Sequence, residues 1–326
     1  GLRSFSQQDA DFFYELLPGV RDAFGTPQSL RFWKHRLEQA HVEKGGEVCL
    51  VFGPSGCGKS SFVKAGLIPI LSDRIVPIYV EASPENTERE LLALLQHHAD
   101  LPAYADNLVD AIRWLQSPAA ASGAEASETR AARRFVIFID QFEQWLHGWT
   151  QGEEADLVAA LRQCDGENLQ AIVMVRDDFW MAATRFMREV EVRLVEGENS
   201  AAVDLFDQRH ARRVLEACGR AHGCLPKPPT ELTRDQRQFI SYAVAELAEE
   251  GSVIPVRLAL FVEMVKGREW LPETLRRTGG AKGAGAAFLE DAFGPHAPPL
   301  NRLHRDAARR VLQALLPQHG GDIRGA

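Results

Sequence analysis

At 326 residues the chain is too long for one ordinary core, and 45% hydrophobic with 25% charged residues is the balance of a globular fold, not of a disordered or fibrous chain. Two or three domains are expected. A net charge of −8 counts against a phosphate-backbone binder, which concentrates Lys and Arg, so nucleic acid is not the expected partner.

In chain order, residues 29–40 carry Leu30, Trp33, Leu37 and Ala40 at helical spacing, which predicts an amphipathic helix. A turn at 44–46 and the short apolar run 48–52 follow, the latter read as a buried strand ended by Gly53. Helical periodicity returns over 60–71, and 75–80 reads as a strand whose Pro77 places it near a sheet edge. Helices are expected at 86–99 and 107–115, then a flexible insertion at 117–132, where Ala, Ser, Gly, Glu and Thr replace the apolar pattern. The run 134–140 is a buried strand, 155–164 a helix, 169–175 a second buried strand and 178–190 a helix. Strands alternating with helices predict an α/β fold, a parallel sheet covered on both faces. After residues 202–205 strands are expected to cease, leaving helices at 208–221, 234–249, 256–265 and 301–316, with loops at 224–229 and 279–285.

Residues Gly53, Pro54, Ser55, Gly56, Cys57, Gly58, Lys59 and Ser60 fit GxxxxGK[ST], between a buried strand and a helix as the mechanism requires. The glycines let backbone N–H groups wrap a phosphate, and the helix N-terminus adds about half a positive charge. Lys59 reaches the β- and γ-phosphates, Ser60 ligates Mg²⁺, and Ser61 completes the nucleotide-binding set. Such a loop needs a carboxylate at the tip of a neighbouring strand, and the run ending at Ile139 supplies Asp140 as the Mg²⁺ candidate.

Many efficient P-loop ATPases place a Glu directly after this Asp to polarise the attacking water; here the position is Gln141, whose amide cannot accept the proton. Glu143 is the nearest carboxylate and either reaches the γ-phosphate region or is a solvated first-turn helix residue. Slow hydrolysis follows, which suits a switch better than a metabolic catalyst. Arg176, at the tip of the next strand, either senses the γ-phosphate or forms an ion pair with Asp177 or Asp178.

The five cysteines form no CxxC pair and suit a reducing compartment, the cytoplasm. Apolar runs are far below the roughly 18 residues a membrane span needs. A start at Gly1 and a glycine-rich end predict a piece of a longer protein. His97-His98 lack a third metal ligand at useful spacing, and the arginines 302, 305, 309 and 310 read as a charged helix face.

Four motifs in fixed order carry a resemblance: residues 1–5 with Asp9 to Phe13, the GPSGCGKSS loop, residues 139–144 and residues 175–179. Together they resemble the bacterial novel STAND NTPases, signal-transduction ATPases related to apoptotic ATPases and plant resistance receptors, over residues 1 to about 293. The resemblance implies a P-loop nucleotide-binding domain at 1–205, a helical lid at 206–277, and a linker with a truncated winged-helix-like segment at 278–326. It further implies ATP/ADP and Mg²⁺ as cofactors, with ADP holding a closed form and ATP permitting homo-oligomerisation of a longer parent. In that family a Gly-Arg-Glu motif after a Phe-Phe pair packs near adenine; here Phe12-Phe13 is followed by a stretched spacing to Arg21 and Asp22. Pro255 matches a lid proline that touches the base, although a proline suits any helix's first turn. The alternatives are a P-loop phosphotransferase, for which no arginine cluster follows the third strand; a transporter-type ATPase, for which an LSGGQ-like signature is absent; and a nucleotide-locked, non-hydrolysing scaffold.

Overall fold

The computed structural model describes residues 4–39, 48–99, 101–102, 104–116, 133–150, 155–277, 279–295 and 297–315. The turn expected at 44–46, the insertion expected at 117–132, motif residues 1–3 and the tail from 316 lie outside the described residues. The chain divides into two compact units, Gly1–Leu205 and Phe206–Ala326.

The first unit is built on five parallel strands: β1 (Val48–Gly53), β2 (Ile75–Glu81), β3 (Arg134–Asp140), β4 (Leu169–Arg176) and β5 (Ser200–Ala202). Their order is β2-β3-β4-β1-β5, so β4 separates the phosphate-loop strand from the strand that ends in Asp140. Pro77 lies on β2, at the sheet edge. β1, β3 and β4 are interior and buried on both faces, which is why their sequences read as unbroken apolar runs.

Alternation assigns the two faces. Val48, Leu50, Ile137, Ile139 and Val173 pack under α4 (Thr87–His98), α5 (Leu108–Leu115), α6 (Glu143–Gly148), α7 (Asp156–Leu161) and α8 (Trp180–Glu189). Cys49, Val51, Val136, Phe138, Ile172 and Met174 face α1 (Ala10–Leu16), α2 (Gln28–Glu38) and the helix after the phosphate loop. That helix is not uniform: α3 (Lys59–Ser61) runs into a π-helical stretch over Phe62–Leu67 and a 3₁₀ turn over Ile68–Ile70, where Pro69 lacks the N–H a longer helix would use. β5 escaped the sequence reading because three residues, Ser200, Ala201 and Ala202, carry no apolar run; pairing beside β1 makes it a strand.

In the second unit, α9 (Gln208–Ala221), α10 (Arg234–Leu247), α11 (Pro255–Val265), α12 (Pro272–Arg277) and α13 (Gly280–Phe293) surround stacked Phe239, Phe261 and Trp270. Three expectations are corrected here. Strands do not cease: β6 (Phe206–Asp207), β7 (Ala248–Glu249) and β8 (Ser252–Val253) form a small antiparallel sheet, so α10 stops at Leu247 instead of 249. Glu250 and Gly251, both at positive φ, make the two-residue hairpin turn that reverses the chain there. The stretch 279–285 is a helix start, not a loop, because Gly279 and Gly280 at positive φ turn into α13 and Glu246 Oε2 accepts the Ala281 N–H at 2.5 Å. Lastly, the final helix is two, α14 (Pro299–Leu303) and α15 (Arg305–Leu315), broken at His304.

Candidate functional site

Parallel strands deliver their C-terminal ends to one rim, and the register places Gly53 beside Arg176 and Glu81 beside Asp140 along it. At Gly53 the backbone adopts φ +157°, and a Cβ there would lie 2.2 Å from the carbonyl oxygen of Val203. No side chain fits. Gly58, at φ +101°, turns the loop into the helix whose first residue is Lys59.

Lys59 is buried, and its ammonium donates to the carbonyls of Gly53 at 2.7 Å and Pro54 at 3.1 Å. These neutral acceptors hold the ammonium inside the loop without cancelling its charge. Cys57 Sγ lies 3.8 Å from the same ammonium; burial pushes its thiol above the ordinary value, although Lys59 pulls it down.

Asp140, 2% exposed, is where the far part of the chain meets the loop. Ser60 Oγ donates to its Oδ2 at 2.5 Å across 80 residues of sequence. The Tyr79 hydroxyl donates to the same Oδ2, and the Gln141 N–H donates to Oδ1 at 2.8 Å from a left-handed backbone with φ +52°. Tyr79 was not singled out from sequence; its signal is its place on β2, two residues before the one in register with Asp140. Burial first, then the Asp140 charge, hold its phenol protonated well above the ordinary range, so it remains a donor. Ser60 and Asp140 are hard oxygen donors of the kind Mg²⁺ takes alongside phosphate oxygens and water. A glycine-lined backbone cradle, an enclosed ammonium and this donor pair together fit a nucleotide polyphosphate with its metal.

A family model described as novel STAND NTPase 1 matches residues 1–324. The chain belongs to that family. No curated protein matches it in sequence. Among solved structures, the Walker-type ATPase of Pyrococcus abyssi is similar at 20% identity and TM-score 0.52, over 91% of this chain and 81% of that one. The ORC2 protein of Aeropyrum pernix, solved as ADPNP–ADP complexes, is similar at 17% identity and TM-score 0.52, over 94% of this chain and 83% of that one. These likenesses give the fold, a P-loop ATPase sheet.

In this STAND NTPase the remaining candidates have definite places. Glu143 opens α6, and at 6% exposed it is not the solvated helix residue that was one of its two readings. Its Oε2 accepts the backbone N–H of Arg176 at 3.3 Å, on the rim beside Gly53. Arg176 makes the ion-pair alternative real: its guanidinium grips Asp178 through two hydrogen bonds, 3.0 and 2.7 Å. Ser61 Oγ accepts the Phe5 N–H at 3.1 Å, tying the N-terminal motif to the loop, while Phe5 packs against the rings of Phe12 and Phe13. Arg21 of the stretched motif donates to the carbonyls of Tyr14 and Leu17 at the end of α1. Pro255, in the second unit, is the first residue of α11, after an extended Ile254. His97 and His98 are exposed at the end of α4, and no helix among the described residues is long and apolar enough to cross a membrane.

Proposed function

We propose that this chain is the nucleotide core of a cytoplasmic bacterial signalling switch, binding ATP or ADP with Mg²⁺ and hydrolysing ATP slowly. The observation that carries the reading is the 2.5 Å contact between Ser60 and Asp140 beside the loop-enclosed ammonium of Lys59. That contact joins a metal-ligating hydroxyl and a metal-orienting carboxylate at the mouth of the phosphate loop. The ADPNP–ADP complexes of the similar ORC2 protein support an adenine nucleotide as occupant. Slow turnover is supported by Gln141 in the place a general base would take, with the buried carboxylate of Glu143 two residues further on and bound to the Arg176 N–H.

Residues 1–205 serve as the nucleotide-binding domain, 206–277 as a helical lid contributing Pro255, and 278–326 as a linker leading into a winged-helix-like segment of a longer parent. Exchange of ADP for ATP switches the assembly only through differential affinity for its two states, and ATP-bound chains associate with their own kind. Arg176 exchanges Asp178 for the γ-phosphate when ATP is present. A net charge of −8 counts against nucleic acid as a partner.

Calorimetry of the full chain with Mg²⁺-ADP and Mg²⁺-ATP tests the reading. Lys59→Ala is expected to abolish measurable binding, since charge-assisted hydrogen bonds contribute about 1.5–3 kcal/mol each. Unchanged affinity in that variant refutes the site.

A further inference from the structure

Asp140 is held from a side the phosphate loop does not provide. Along β2, Ile78 and Val80 turn into the core under α4 and α5, so Tyr79 and Glu81 face the helix that follows the loop. Glu81 is in register with Asp140, and a tyrosine one pleat earlier has the reach to meet that carboxylate diagonally. The ring is fixed from outside: the Lys64 ammonium sits 4.3 Å over its centre and pairs with Glu81 Oε1 at 2.9 Å.

Phenylalanine would fill the same space against Phe138 and the loop helix. The hydroxyl therefore has a separate task, and a half-buried hydroxyl is retained at a cost unless it is hydrogen-bonded. Its partner is Asp140 Oδ2, the oxygen that also accepts from Ser60. With Gln141 N–H on Oδ1, three donors address the two oxygens and fix the rotation of the carboxylate. Donating its proton to Asp140 leaves the Ser60 oxygen's lone pairs free for a cation.

We infer that Tyr79 is a positioning residue for Mg²⁺ binding: by donating to Oδ2 it holds Asp140 in the one orientation in which Ser60 and the carboxylate act on the metal together. The inference rests on the reading of Ser60 and Asp140 as the Mg²⁺ pair. Outer partners of metal-site groups typically govern metal affinity by about 10–100-fold.

The test is fluorescence titration of the full chain with a labelled ADP, in EDTA and across Mg²⁺ concentrations, for the natural chain, Tyr79→Phe, Asp140→Asn and the double variant. Tyr79→Phe keeps the ring and its contact with Lys64. The expected result is a rise of about tenfold in the Mg²⁺ concentration giving half-maximal tightening, much larger than any change in metal-free affinity. In the Asp140→Asn background the same change should add nothing. An unshifted Mg²⁺ curve overturns the inference, as does an equal loss with and without metal, which marks a structural role. Additive effects in the double variant overturn it too. A natural chain that binds labelled ADP but ignores Mg²⁺ removes the metal pair and Tyr79's role together, while one that binds no nucleotide removes the site itself.

Discussion

Glu143 shows how much one side chain's surroundings decide. It lies three residues after Asp140, in the first turn of α6, where a solvated carboxylate would merely complement the helix dipole. Burial at 6% exposure, with an oxygen on the Arg176 N–H, instead commits it to the rim that carries the phosphate loop. As the proposed base for the attacking water it should be needed for turnover and dispensable for binding. Glu143→Gln keeps an oxygen for the Arg176 N–H and removes the base, so ATP consumption should fall roughly a hundredfold, the usual scale of general-base catalysis. A steady-state phosphate-release assay beside an ATP titration checks this, and turnover equal to or above that of the natural chain excludes the role. Arg176 is the converse case: its sequence position suits a γ-phosphate sensor, yet in this structure the bidentate grip of Asp178 occupies its guanidinium.

Among the elements, the turn that launches β4 is the most heavily tied. Asp165 Oδ1 accepts the N–H groups of Glu167, Asn168 and Leu169 at 3.0, 2.8 and 3.0 Å, and Oδ2 accepts the Asn168 amide at 2.9 Å. Arg134, at the start of β3, clasps the same turn through the carbonyls of Gly166 and Glu167. The turn therefore fixes how β4 enters beside β3, which sets where Arg176 emerges at the rim. Partial burial alone would raise the Asp165 carboxyl, but these hydrogen bonds outweigh it and hold the group below its ordinary value of 3.8. A depressed folded-state value means the stabilisation is complete above the ordinary value and is lost as pH falls through the lower, folded one. Asp165→Asn should thus cost about 1–2 kcal/mol at neutral pH, discounting the hydrogen-bond scale for half-exposure. That cost should shrink toward zero in acid. Urea midpoints at neutral and acidic pH measure it, and a penalty independent of pH would show that the charge is not what holds the turn.

At the scale of the whole molecule, a ligand that binds only the folded chain must raise its melting temperature. At a nucleotide concentration about a hundred times Kd the gain is about 2.7 kcal/mol. For a unit the size of Gly1–Leu205 that corresponds to roughly 5–10 °C. Differential scanning fluorimetry with Mg²⁺-ADP should show the rise in the natural chain and none in Lys59→Ala; equal shifts in both would place the nucleotide elsewhere. Much of this molecule was legible in its residues, and for a physical reason. The phosphate loop is local chemistry in eight consecutive residues, and β1, β3 and β4 announce themselves because a strand buried on both faces must be apolar throughout. Family membership was legible for the same reason, as short motifs in fixed order. What the sequence could not carry were structures made by pairing alone. The three residues of β5 and the two-residue strands of the second unit have no pattern of their own, and the glycine-rich start of α13 is tied down by Glu246, 35 residues before Ala281, whose N–H it accepts. The contacts of Asp140 belong to the same class. Ser60 and Tyr79 reach it across 80 and 61 residues, and only the closed sheet brings these two donors onto one carboxylate oxygen.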